Sequence, residues 1–259
     1  MNRSLTFGFL MVNAVFITTI YLALGSVTSI YDLHSLIIVL GGTIAVSIFS
    51  FSFTDMKKVA IGIYEIILNK NKDDKLAVIE DILNLAKAKR RSEKDFMNFR
   101  QEVKDPFLKD AARLLFWAES ETSAEDFKNL LKIKSESYVD EHLKAPLILK
   151  SLAKFPPAFG LMGTVLGIMA MMSKLSDPNA KSQIGPAMAV ALMATLYGIS
   201  LNNIFIIPMS ESLMQMGKIR AHTYDLIIEG IMMLHEKKPI NYMKEKLNSF
   251  LGVQLKENE

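Results

Sequence analysis

The sequence predicts an all-α polytopic membrane protein: four membrane-spanning helices in two pairs, with a cytoplasmic helical domain between the pairs. Three observations carry this expectation. Uncharged apolar runs occupy Leu5 to Leu24, Ser35 to Phe53, Phe155 to Ser173 and Ile184 to Met209. Read as a helix, the run from Phe155 to Ser173 rises about 28 Å, close to the ~30 Å hydrocarbon core of a bilayer. Next, the polar segment between the second and third runs shows helical periodicity and no strand-like alternation. Finally, the basic residues are segregated. Of 30 Lys and Arg, 19 lie between Thr54 and Lys150 and 7 more follow Met209, whereas Gly25 to His34 holds none and Lys174 to Gln183 holds two. The positive-inside rule then places the middle segment and both chain ends in the cytoplasm. The expected domains are 1–53 (outer spans), 54–150 (cytoplasmic helices), 151–209 (inner spans) and 210–259 (cytoplasmic C-terminal helices).

Taken in order, Arg3 followed by an apolar run has the look of a secretion signal. No A-x-A cleavage pattern follows Leu24, so the run is expected to be a retained first helix. Asp32 and His34 mark the far-side turn, and the second span carries Gly41 and Gly42. Val59, Ile63, Ile66 and Ile67 then form one apolar stripe, and Leu76, Ile79, Ile82, Leu83 and Ala86 another, with a turn at Asn71 to Asp74. Ser92 with Asp95 is a weakened capping box. Asp105-Pro106 supplies an N-cap and a first-turn proline. Ser123, with Glu125 and Asp126, opens a helix running toward Pro146. After Met209 an amphipathic stretch carries Leu213, Met216, Ile219, Leu226, Ile227 and Ile231, and Pro239 begins a short last helix ending near Phe250.

The third and fourth runs are richest in small and polar residues. Gly160, Gly163, Gly167 and Gly198 suit close helix packing, with Gly163 and Gly167 in the small-xxx-small pattern. Thr164, Thr195, Ser200, Asn202 and Asn203 add polar groups inside apolar runs, which fits either a lined pathway or hydroxyls bonded to their own helix. Pro156 and Pro157 open the third run and Pro208 closes the fourth, so antiparallel spans bring them to one membrane face. Density of such residues predicts that this pair lies inside and that the first pair faces lipid.

Much chemistry is excluded. There are no cysteines, and His34, His142, His222 and His235 lack metal-ligand spacing. No Gly-rich phosphate loop or nucleophile elbow is present, and a formal net charge of +3 does not argue for nucleic acid. No enzyme, cofactor or bound metal is expected, and the 16 methionines read as membrane and core filler. The charges bordering the runs, Asp32, Lys154, Lys174 and Glu211, all sit at their ends. A chain that moves ions through lipid ordinarily holds an ionisable group within it. This one is therefore either a static scaffold or part of a pathway whose carboxylate another chain supplies.

PPAFGLMGTVLG (Pro156 to Gly167), IGPAMAVALMATLYG (Ile184 to Gly198) and NIFIIPMSESL (Asn203 to Leu213) closely resemble the last two spans of flagellar stator A subunits, the MotA/PomA family. The resemblance continues through IIEGI (Ile227 to Ile231) and KPINYMKEKLNSFL (Lys238 to Leu251). It implies an inner-membrane homopentamer around two helices of a MotB or PomB partner, whose Asp carries the transported H+ or Na+. It also implies torque on the rotor protein FliG. Pro157 and Pro208 match the family's functional prolines. Lys89 and Arg90 align with its rotor-contacting basic pair, counted back from DPFLKDA (Asp105 to Ala111). The acid of that contact falls on or beside Met97, with Glu93 and Asp95 nearby. Sodium-type members carry two adjacent threonines where this chain has Ala194 and Thr195, which tilts the reading toward protons. The alternative, an ExbB/TolQ-type energy-transducing subunit, has one span before its cytoplasmic insertion, whereas two are expected here.

Overall fold

The structure, a computed structural model, describes residues 3–24, 31–68, 75–175 and 182–251. Among these residues there is no strand, and the chain divides into two compact units. One comprises residues 1–71 and 143–214, the other 72–142 and 215–259. These divisions fall later than the sequence edges at 53 and 209, and earlier than the one at 150, because α3 and the end of α7 pack with the apolar helices. The expected turn at Asn71 to Asp74, and residues 25–30 and 176–181 of the two far-side loops, lie outside the described residues.

In the first unit, α1 is Arg3–Leu24, α2 Leu33–Ser50 and α3 Phe53–Leu68. Short polar caps place their starts. The Asp32 carboxylate accepts from the Ser35 amide at 2.8 Å and begins α2. Ser52 accepts from the Asp55 amide at 3.1 Å and donates to its carboxylate at 2.7 Å, and so begins α3. Helices α4 (Lys75–Arg91), α5 (Glu93–Glu102) and α6 (Pro106–Glu121) follow in the second unit. Ser92 caps α5 through the Lys94 amide at 3.2 Å, and Asp105 caps α6 through the Leu108 amide at 2.9 Å.

Helix α7, Ala124–Leu152, contributes to both units and contains Pro146 in its interior rather than near its end. Then come α8 (Phe155–Leu175), α9 (Ile184–Ser200), a π-helical turn (Leu201–Ile206), α10 (Ile207–His235) and α11 (Ile240–Asn248). Among the described residues, three helical stretches contain a segment long and apolar enough to cross a bilayer: Leu33–Ser50, Ala124–Leu175 and Ile184–His235. The first expected span forms α1, whose 22 residues would extend about 33 Å at helical rise.

The second unit has its own core. Ile82 and Leu85 of α4, Phe107, Leu108 and Leu115 of α6, Phe127 and Leu131 of α7, and Leu226, Ile227 and Ile231 of α10 are fully buried. Each such side chain contributes about 1.5–3 kcal/mol by leaving water. The apolar stripes drawn from the sequence hold in the main, but Leu76 and Ile219 are exposed, and Val78 and Leu85 join the α4 core. Gly230 lets α10 approach α4: a Cβ there would lie 2.9 Å from Ile82 Cδ1. Lys237 ends α10 with φ of 55°, and the Lys238 amide reaches back to the Met233 carbonyl at 3.0 Å. This is the left-handed stop that usually takes glycine.

Candidate functional site

Helices α8 and α9 touch almost backbone to backbone. A Cβ built on Gly160 would stand 2.8 Å from the Ala194 carbonyl oxygen, and one on Gly167 would stand 2.7 Å from Ala191 Cβ. On Gly163 it would collide with Ala194 Cβ, and on Gly198 with the Pro156 carbonyl. These four glycines and the small Ala191 and Ala194 form one seam, which no larger side chain can enter without separating the helices. Ala194 is fully buried in it.

The two threonines meet across this seam. Thr164 Oγ1 and Thr195 Oγ1 hydrogen-bond to each other. Thr164 Oγ1 also lies 3.1 Å from the Gly160 carbonyl and 3.0 Å from that of Ala191, and Thr195 Oγ1 lies 3.4 Å from the Gly160 carbonyl. Four oxygens from two helices thus share two hydroxyl protons. The arrangement is rich in acceptors and half-buried, a local environment that suits a cation or a proton donor.

The prolines are not equivalent. Pro156 and Pro157 are the second and third residues of α8, where amides have no helical acceptor in any case, so neither interrupts a hydrogen-bond ladder. Pro208 is the second residue of α10 and follows directly on the π turn. Pro208 offers no N–H to the preceding turn, and the Ile207 amide bonds the Asn202 carbonyl, five residues back. In the same turn Asn202 Oδ1 is buried with no hydrogen-bond partner among the described residues. Wide turns of this kind inside a helix commonly mark functional positions.

Helix α2 adds groups that the sequence reading had assigned to the lipid side. Ser35, Val39, Thr43 and Ser47 recur every four residues and are all buried in the first unit. The Ser35 hydroxyl sits between the Asp32 carboxylate and the Val190 carbonyl, 2.8 Å from the latter. The Asp32 amide donates to Tyr197 Oη at 3.0 Å. Gly42 lies under the Phe159 ring, leaving no room for a Cβ. The spacing of four was visible in the sequence; which face of α2 packs was not.

In the second unit, the charged residues Lys89, Arg90, Glu93 and Asp95 flank Ser92, at the corner where α4 ends and α5 begins. They do not act alike. Arg90 donates to the Lys238 carbonyl at 2.7 Å, and Lys89 Nζ stands 5.8 Å from the centre of the Phe96 ring. Asp95 instead lines a polar groove between α4 and α5, with Lys87 and Arg91 on one wall, Glu102 beside it and Phe99 included. Lys87, Arg91 and Glu102 were not singled out by sequence reasoning.

Comparison with known proteins decides the family. Residues 99–225 match the MotA/TolQ/ExbB proton channel family. Motility protein A of Aquifex aeolicus is 32% identical over 239 residues, which cover 90% of each chain. The chain belongs to this family. Chemotaxis protein PomA of Vibrio alginolyticus is 28% identical, covering 88% of this chain and 87% of its own. The fold agrees with a structure of C. jejuni MotAB at a TM-score of 0.82 and 20% identity, covering 98% and 97% of the two chains. It also agrees with the flagellar MotAB stator complex of Bacillus subtilis at a TM-score of 0.74 and 22% identity, covering 94% and 96%. The relatives span nearly the whole chain, so the assignment reaches both units. The protein is a membrane-embedded, all-helical A-type subunit of the flagellar stator, of the ion-channel kind that its family describes.

Proposed function

We propose that this stator A subunit works with a MotB-type chain that supplies a membrane-buried Asp, and that protons rather than sodium ions drive it. The observation that carries this reading is the Thr164–Thr195 pair on a seam whose flanking runs contain no Asp, Glu, Lys, Arg or His. A proton needs a carboxylate and a path, and the hydroxyls and carbonyls at the seam can accept from a protonated partner acid. Sodium sheds water only for several oxygen ligands, and at position 194 this chain offers a methyl group instead of a hydroxyl.

In this reading the chain crosses the inner membrane four times with both ends in the cytoplasm. Five copies surround two partner helices, and the turn at Pro208 passes each ion event to the helices that follow. The α4–α5 corner works against FliG. Co-expression with a B-type partner, followed by reconstitution into liposomes, tests the assignment. Proton flux that requires both chains supports it, and flux by this chain alone, or none with both, refutes it.

A further inference from the structure

Asparagine is a weak helix former and a costly residue to place in lipid. Asn202 nevertheless sits in the π-helical turn of a stretch apolar enough to cross a bilayer. Its Oδ1 is buried with no hydrogen-bond partner among the described residues, and its Nδ2 stands 3.5 Å from Asn203 Oδ1, too far for a firm bond. Exchanging the two amide atoms would only leave a buried donor unpaired instead. The turn itself does not need this side chain, because main chain closes it: the Ile207 amide bonds the Asn202 carbonyl. A buried acceptor without a donor lowers stability, and a leucine there would strand no polar group. Asn202 is therefore not there to hold the fold.

Its place in the helix says what it can do. Seven residues, or about 10 Å of helix, separate Asn202 from Thr195, and two turns return it to nearly the same side. That side faces α8, whose backbone the π turn also approaches. Along it lie the Thr164–Thr195 hydroxyl pair, the Gly160 carbonyl within reach of both, and then Gly198 closed against the Pro156 carbonyl. Asn202 comes next, toward Pro208. Its Oδ1 is covered in this state although the residue is half-buried, so a change in the turn is what brings a donor to it. We propose that Asn202 is a positioning residue of the proton path: when the π turn opens, Oδ1 accepts a hydrogen bond from the water that takes the proton from the threonine pair toward the Pro208 end. The amide neither gains nor loses a proton; it holds the water. This rests on the proton-driven reading above.

The test uses the complete chain assembled with its B-type partner in liposomes that enclose a pH-sensitive dye. Asn202→Leu is expected to slow proton flux about tenfold, the loss of one hydrogen bond from the rate-limiting step. Its thermal midpoint, read by circular dichroism on the purified complex, is expected to stay level or rise, because an unpaired group leaves the interior. Asn203→Leu, at the exposed neighbouring position, is expected to conduct normally. Flux that survives Asn202→Leu overturns the proposal. A midpoint that falls along with the flux does so too, as the mark of a structural role, and so does an equal loss in Asn203→Leu. An unmodified complex that carries no protons is a separate result: it refutes the proton reading itself, and this inference with it.

Discussion

Ser210 donates a hydrogen bond to the main-chain carbonyl of Pro146 at 2.9 Å, and so ties the start of α10 to the proline of α7. Ser210 is buried, and it lies two residues beyond Pro208. Pro146, in the interior of α7, is thereby bonded to the first turn of α10, which also holds Pro208.

Removing that hydroxyl deletes one hydrogen bond to the carbonyl of a residue inside a helix, a net loss of about 0.5–1.5 kcal/mol. Ser210→Ala is expected to lower the denaturant midpoint of the purified chain while leaving its helix content unchanged. Circular dichroism across a denaturant series measures both. An unchanged midpoint would show that the carbonyl finds another donor and that the link is dispensable.

The seam glycines separate close packing from mere flexibility. A methyl group on Gly198 meets the Pro156 carbonyl and one on Gly163 meets Ala194, whereas nothing among the described residues lies within 4 Å of a Cβ on Gly185. Gly198→Ala and Gly163→Ala are expected to abolish motility and reduce recovery of the assembled complex, with Gly185→Ala unaffected. Swimming in soft agar, together with gel filtration, distinguishes them. Equal behaviour of all three would remove the steric account.

Much of this was legible in the sequence because helix starts and apolar periods are local. Ser92, Asp105 and Ser123 sit at helix starts, and the third and fourth runs begin their helices at Phe155 and Ile184. Non-local choices were not legible. Ala194 was read as a lost ion ligand, but its burial against Gly163 depends on the rotation of α9 about its axis. The same holds for the Ser35, Thr43 and Ser47 face of α2, and for the Arg90 bond to Lys238, which joins residues 148 positions apart.

The position of Ala194 has a consequence for ion choice. Ala194→Thr would push a hydroxyl and a methyl into the seam at Gly163, so it is expected to impair assembly rather than convert the motor to sodium. Swimming speed measured against external sodium at fixed pH decides this. Steep sodium dependence in the unmodified chain would overturn the proton assignment, and sodium-driven swimming in the variant would show that the hydroxyl reaches the pathway.

Asp110 gives the second unit an acid-sensitive joint. Burial pushes its carboxyl up, but the hydrogen bonds from Lys134 at 3.0 Å and Tyr138 at 2.9 Å, with the charges of Lys134 and Arg113, outweigh this and hold it below its ordinary value. A depressed carboxylate stabilises the folded chain above its unfolded pKa of about 3.9, and that stability is lost as pH falls through the folded value. Asp110→Asn is expected to reduce stability at neutral pH and to flatten the loss below about pH 4. Denaturant midpoints across a pH series measure the difference. Parallel curves for the two proteins would show that the pairing contributes nothing.

The groove between α4 and α5 sharpens the proposed rotor contact. Arg90 is committed to the Lys238 carbonyl, so reversing it disturbs the end of α10 as well as any external contact. Lys87 and Arg91 line the groove opposite Asp95 and offer charge without that complication. Exposed ion pairs contribute only about 0–1 kcal/mol each, so single changes are expected to be mild. Lys87→Glu with Arg91→Glu is expected to lower torque at high load, and acid-to-base reversal on the rotor to restore part of it. Lys89→Glu with Arg90→Glu is expected to lower torque with weaker restoration, because part of its loss is structural. Tethered-cell torque with matched rotor variants separates the two pairs. Full restoration of the second pair alone would move the contact back to the residues that the sequence first indicated.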